Sequence, residues 1–222
     1  MLVGYTAYID LVPPELRAGK DVVATGMTGE VARCRSALDA AAAGKRVVLV
    51  SSGDAGVYGM AGLALEMLET RPDATSLAFS VLPGIPAVCA AAALLGAPLT
   101  QDFAVISLSD LLTPWEVIAR RLEAALAADF VLALYNPRSR RRTDHLPEAL
   151  AAAARHRPPQ TPVGMVKNAF RDGQEIRLTR LDDADASFAD MLTLVLIGSS
   201  SSRLVGGRML TPRGYAAKYA LD

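Results

Sequence analysis

Short apolar runs rich in Val and Leu alternate along this chain with longer stretches of helical periodicity. That alternation constrains the fold more than any other feature. Strands separated by crossover helices must pair as a largely parallel sheet, with the helices covering its faces. Strands are expected at 21–26, 46–52, 76–82 and 103–109, and helices at 29–43, 57–69 and 86–95. Run 46–52 (RVVLVSS) is continuously apolar, as befits a strand buried on both faces. Thr28 is the expected N-cap of the first helix; Gly44 and Gly96 are expected helix stops.

Thr113-Pro114-Trp115-Glu116 is a strong helix start, with threonine as cap, proline in the first turn and glutamate completing a capping box. Trp115, Ile118, Leu122 and Leu126 then share one face. A domain junction is placed just before this helix, giving an N-terminal α/β domain over 1–110 and a C-terminal one over 111–222. The second half continues with a buried strand at 129–135, a helix at 144–156 and a strand at 162–168. A turn at 171–173 leads to a hairpin arm at 174–179, and a last buried strand lies at 192–198. The serine run 199–202 is expected to be a mobile loop.

Composition narrows the function. Lys and Arg number 23 and Asp and Glu number 23, so the chain lacks the basic surface on which general nucleic-acid binding rests. Cys34 and Cys89 form no CxxC pair, and His145 and His156 have no metal-ligand spacing. No metal is expected, the thiols read as free in a reducing cytosol, and the histidines read as helix-surface residues. The most apolar segment, 81–97, is broken by Pro83, Gly84, Pro86 and Gly96, and no basic-then-apolar leader opens the sequence. A soluble, cytoplasmic protein is expected.

Three strand-to-helix turns carry candidate chemistry. Ser51–Gly59 (SSGDAGVYG) follows a strand and opens a helix, where open α/β sheets bind ligands; its glycines permit a sharp turn and close backbone approach. Its G-x-x-G-x-x-G spacing is neither the dinucleotide fingerprint nor a phosphate loop, so a nicotinamide-dependent enzyme is disfavoured. Leu82-Pro83-Gly84-Ile85-Pro86-Ala87 reads equally as a helix start facing a ligand or as tight packing. Leu134-Tyr135-Asn136-Pro137 ends another buried strand and runs into Arg138, Arg140, Arg141 and Arg142. That run reads either as a solvated basic loop or as a docking patch for carboxylates.

Together these motifs resemble the tetrapyrrole methylase family over essentially the whole chain and in the right order. GDAGVYG stands in place of the family's GDPxxYG-type motif, LPGIPA matches its PG loop, and LALYNP matches the strand end that opens its second domain. YTAYIDLV, TGMTGEVARCRSAL, DFAVISLSDLLTPWEVI, ALYNPRSRRR and TPVGMVKNAFRDGQEI are closest to members that methylate carbon 17 of precorrin-3B. Ala55 departs from the usual proline. The family's opening strand and Gly-Pro-Gly-Asp loop would precede Met1-Leu2-Val3-Gly4-Tyr5, so the resemblance implies a missing first strand and a gap in the parallel sheet.

The resemblance implies two α/β domains with a ligand cleft between them and S-adenosylmethionine as methyl donor, leaving as S-adenosylhomocysteine. It implies donor contacts from Gly53, Asp54, Val57, Tyr58, Pro86, Ala87, Asn136, Asn168, Ala169 and Thr193, many through backbone groups. The implied reaction carries a methyl group to carbon 17 of precorrin-3B and contracts the macrocycle to precorrin-4. The contraction moves protons at a hydroxyl and a lactone, for which Ser107, Ser109, Asp110 and Thr113 are candidates, although Asp110 and Thr113 read more readily as residues that shape the linker and cap the next helix. Arg138–Arg142 would meet the substrate's carboxylates. A homodimer is expected by analogy. The alternatives are a corrin-pathway methylase acting at another carbon, or a truncated, non-catalytic ligand-binding remnant.

Overall fold

The computed structural model describes residues 1–220, and the chain divides into two compact units, Met1–Pro86 and Ala87–Asp222. The first contains β1 (Leu2–Tyr5), α1 (Thr6–Ile9), α2 (Pro14–Arg17), β2 (Val22–Thr25), α3 (Glu30–Ala42), β3 (Val48–Val50) and α4 (Met60–Glu69). Its three strands form a parallel sheet in the order β2-β1-β3. The central strand, β1, was not foreseen: four residues at the chain start are too short to show a period. Leu2, Val3, Cys34, Leu38, Ala64 and Leu68 are buried in this unit. Arg33 is buried too. Its guanidinium donates to Thr25 Oγ1 at 2.6 Å and to the Gly26 carbonyl at 2.9 Å, tying the end of β2 to α3.

Three local expectations fail here. Only 48–50 of run 46–52 is a strand, and Val48 is 53% exposed. The run lies at the sheet's edge, with no strand beyond it among the described residues. Segment 76–82 joins no sheet and opens as the end of a 3₁₀ turn at Ala74–Ser76. An extended apolar pattern becomes a strand only when a neighbour accepts its backbone groups. Thr28 does not cap α3. It sits at φ 65°, donates to the Met27 carbonyl, and leaves the N-cap position to Gly29. Gly44 does stop the helix, at φ 82°.

The second unit contains α5 (Ala87–Leu95), β4 (Gly96–Ala97), β5 (Phe103–Ser107), α6 (Trp115–Ala127), β6 (Val131–Tyr135), α7 (His145–His156), β7 (Pro162–Lys167), β8 (Glu175–Arg180), β9 (Thr193–Ile197), β10 (Arg203–Val205) and β11 (Arg208–Leu210). Five strands form a mixed sheet in the order β5-β6-β9-β7-β8. All five residues of β5 pair with β6, from Phe103↔Val131 to Ser107↔Tyr135. The junction expected at 110/111 therefore lies inside this unit. The hairpin foreseen after 171–173 is β7–β8, running from Lys167↔Glu175 to Pro162↔Arg180. The small sheet β10-β11-β4 was not foreseen, because its strands are only two or three residues long and show no period.

Side-chain alternation through the central strands sorts the core onto two faces. Leu132, Leu134, Met165, Val195 and Ile197 pack with Ile118, Leu122 and Leu126 of α6 and Leu146 and Ala149 of α7. Ala133, Val166, Leu194 and Leu196 pack with Val88, Ala91 and Leu95 of α5 and with Met209. Each fully buried Leu or Ile contributes about 1.5–3 kcal/mol. The capping box of α6 does not form, because Pro114 itself occupies the N-cap position and no side chain caps it. The serine run is built rather than loose: Ser199 is buried, Ser202 Oγ accepts from the Ser199 N–H and bonds Thr211 Oγ1, and Ser200 bonds Asp129. Among the described residues, no helix is long and apolar enough to cross a membrane.

Candidate functional site

In the first unit, two of the predicted turns meet. Asp54 is their joint: its Oδ1 accepts the Gly56 N–H at 2.8 Å, and its Oδ2 accepts the Gly84 N–H at 3.0 Å. The Gly84 bond, then the Gly56 bond, hold this carboxyl below its ordinary range, so it is ionised at neutral pH. Gly53 turns at φ 68° and Tyr58 at φ 52°, leaving the Tyr58 ring exposed. Gly59 closes the loop, since a β-carbon there would lie 2.6 Å from the Ala55 carbonyl oxygen. The structure thus brings Gly53 and Asp54 against Gly84, two residues before Pro86. Asp54 spends its oxygens on backbone amides, which the sequence did not reveal.

In the second unit, the predicted residues collect at one edge of the five-stranded sheet. β5, β6 and β7 run in one direction and β9 runs against them. The ends of the first three and the start of β9 therefore share an edge, which carries Ser107, Asn136, Asn168, Ala169 and Thr193. Asn136 and Asn168 follow their strands in the left-handed region, at φ 50° and 49°, a conformation asparagine tolerates better than most residues. Their amides are used locally: Asn136 Nδ2 donates to Ser107 Oγ at 2.9 Å, and Asn168 Nδ2 to the Gly173 carbonyl at 3.3 Å. Thr193 is buried and its hydroxyl donates to Asp190 at 2.9 Å. Tyr135 Oη accepts the Val88 N–H at 3.0 Å, so the start of α5, with Ala87, is tied to the same edge.

The loop after β5 carries the candidate acid–base residues. Ser109 donates its N–H to Ser107 Oγ at 3.2 Å, and Thr113 lies half-buried just before α6. Asp110 is half exposed, its Oδ1 3.6 Å from Arg142 Nε and its Oδ2 3.8 Å from His145 Nε2. Leu111 and Leu112 beside it are 82% and 93% exposed. His145 is not the helix-surface residue expected. Its ring stacks on Trp115 with centroids 3.9 Å apart, and its Nδ1 lies 2.8 Å from the Leu108 carbonyl oxygen. Sequence spacing could not signal this, because Asp110, Trp115 and His145 come from three different elements. His156 instead bonds Glu123 at 2.8 Å.

The arginine run divides. Arg142 turns inward and donates to the Leu108 and Asn136 carbonyls, welding the ends of β5 and β6 together. Burial lowers its pKa, against the opposing charge of Asp110. Arg138 donates to the Ser187 carbonyl at 3.2 Å. Arg138 and Arg140, with Ser139, Thr143, Asp190 and Met191, line a cavity of about 450 Å³. Arg141 is exposed.

Residues 5–185 match the family of tetrapyrrole (corrin/porphyrin) methylases. A probable cobalt-factor III C(17)-methyltransferase of Salmonella typhimurium is 49% identical over 97% of this chain and 88% of its own length. A cobalt-factor III methyltransferase of Priestia megaterium is 48% identical over 100% of this chain, which spans 41% of that relative. The crystal structure of the methyltransferase CobJ superposes with a TM-score of 0.90 at 40% identity, over 95% of this chain and 87% of that one.

Proposed function

The chain belongs to the tetrapyrrole methylase family, and we propose that it is a C(17)-methyltransferase using S-adenosylmethionine on precorrin-3B or its cobalt-bearing counterpart, with ring contraction. The observation that carries this reading is the 49% identity over 97% of the chain to a relative named for that carbon. The cobalt-bearing arm enters because that relative and the Priestia protein are both named for cobalt-factor III. A methylase acting at another carbon remains the second reading, and the position of the new methyl group separates the two.

The residues fit the donor in kind. The donor supplies an electrophilic methyl group, whose transfer needs positioning more than a protein nucleophile. On the first unit the proposed donor contacts are Gly53, Asp54, Val57, Tyr58 and Pro86; on the second they are Ala87, Asn136, Asn168, Ala169 and Thr193. The side chains of Asn136, Asn168 and Thr193 are already engaged within the fold, which favours recognition through backbone groups there. Exposed Leu111, Leu112, Phe170, Met191 and Leu192 lie on loops of the second unit and suit a broad apolar macrocycle. The cavity beside Arg138 and Arg140 suits its carboxylates. Ser109, Asp110 and Thr113 are the proposed acid–base groups. A homodimer in the cytoplasm completes the reading.

The test is incubation with methyl-¹³C S-adenosylmethionine and, separately, metal-free precorrin-3B and cobalt-factor III. One labelled methyl group at carbon 17, with equimolar S-adenosylhomocysteine, is expected. Label at another carbon, or donor binding without turnover, overturns the proposal. Light scattering on the purified protein checks the dimer.

A further inference from the structure

Asp110 and His145 are held as a pair by contacts that leave little freedom to the imidazole. The Leu108 carbonyl can only accept, so His145 Nδ1 carries a proton and donates it at 2.8 Å. The Trp115 face fixes the ring plane, with only 15° between the two rings. With Nδ1 committed and the plane fixed, Nε2 faces Asp110 Oδ2 at 3.8 Å. Arg142, pinned by two carbonyls, faces the other oxygen at 3.6 Å. Asp110, on the loop after β5, faces this imidazole, and Arg142, on the loop after β6, donates to the same Leu108 carbonyl as His145. The element stacked on the ring, α6, presents uncharged Trp115. Asp110 thus has an anchored inner side and an open outer one, beside Leu111 and Leu112.

We propose that Asp110 and His145 act as a proton-accepting pair in the ring contraction, with Arg142 as a positioning residue; this rests on the function proposed above. The Asp110 carboxylate takes the proton of the macrocycle hydroxyl. The O–H electron pair becomes a carbonyl bond, the migrating ring carbon carries its bonding pair to the lactone-bearing carbon, and the lactone C–O pair leaves as a carboxylate. The proton then passes from Asp110 to His145 Nε2, giving an imidazolium between Trp115 and the Leu108 carbonyl. No oxidant or reductant is needed, since the contraction is an isomerisation.

The experiment uses the full chain and compares Asp110→Asn, His145→Phe and His145→Asn with the wild type. Phenylalanine keeps the stack on Trp115 and removes both nitrogens; asparagine keeps a donor toward Leu108. Methyl transfer is read as S-adenosylhomocysteine, and contraction as the new ¹³C carbonyl signal, because contraction leaves the mass unchanged. Contraction should fall about 10²-fold or more in Asp110→Asn, and at least ten times more than methyl transfer does. In both His145 variants it should fall about tenfold or more, while methyl transfer changes much less. Equal losses in the two steps, or contraction unchanged in both His145 variants, overturn the pair. Should a His145 variant fail to fold, the exposed Asp110 substitution decides by the same ratio. A wild type that places no methyl group at carbon 17 refutes the proposed function instead, which keeps the two failures distinct.

Discussion

The backbones of Gly84 and Gly53 touch: a β-carbon on residue 84 would lie 2.0 Å from the Gly53 carbonyl oxygen. The obstacle is backbone rather than a side-chain end that can swing aside. Gly84→Ala should therefore cost about 1–3 kcal/mol of stability, read by urea denaturation. Gly62, inside α4, has open space where a β-carbon would go. Gly62→Ala should stabilise by about 0.5–1 kcal/mol, and equal effects at the two glycines would refute the distinction.

Asp54 links the same two loops through charge. Hydrogen bonds from the Gly84 and Gly56 amides hold its folded-state pKa below the ordinary carboxylate value. The stability it contributes is then fully present above the unfolded pKa of about 3.9, and is lost as pH falls through the lower folded value. The melting-temperature difference between wild type and Asp54→Asn should stay constant above about pH 5 and shrink steadily below about pH 4. A gap that widens with acid contradicts this.

The joint is also proposed to serve the donor. Asp54→Ala should weaken S-adenosylmethionine binding about tenfold, measured by calorimetry, by freeing the Gly53 and Gly84 loops from one another. Unchanged affinity removes Asp54 from the donor site.

Arg142 and its neighbours should separate cleanly. Arg142→Ala removes the donor to the Asn136 carbonyl and leaves the Leu108 carbonyl with His145 Nδ1, and should cost about 1–3 kcal/mol. Arg142→Lys should recover only part, since a lysine lacks the planar fork that reaches both carbonyls.

Replacing Arg138, Arg140 and Arg141 together by Ala should leave the melting temperature within a few degrees but weaken tetrapyrrole binding about tenfold, and more than donor binding. Parallel losses for both ligands, read by titration, would remove the docking role.

Much of this molecule was legible in its residues. Continuous apolar runs announced β6, β7 and β9; Gly44 and Gly96 marked helix ends; the 171–173 turn announced the β7–β8 hairpin. The turns at Gly53 and Asn136 stood out because few residues accept a left-handed backbone, and Gly84 stood out within its Pro-Gly pair. Such features are local, set by φ preferences and by the period at which side chains meet a face. What the tertiary structure alone decided involves partners distant in sequence. Segment 76–82 has a strand's pattern but no ladder, β5 belongs with β6 rather than with the strands before it, and Thr28 and Thr113 lost their capping roles to neighbours. His145 joined Asp110 and Arg142 only because α7, the β5 loop and the β6 loop converge. Hydrogen bonds and ion pairs act through space over about 3–4 Å, and the order of residues along a chain does not state which of them the fold will bring that close.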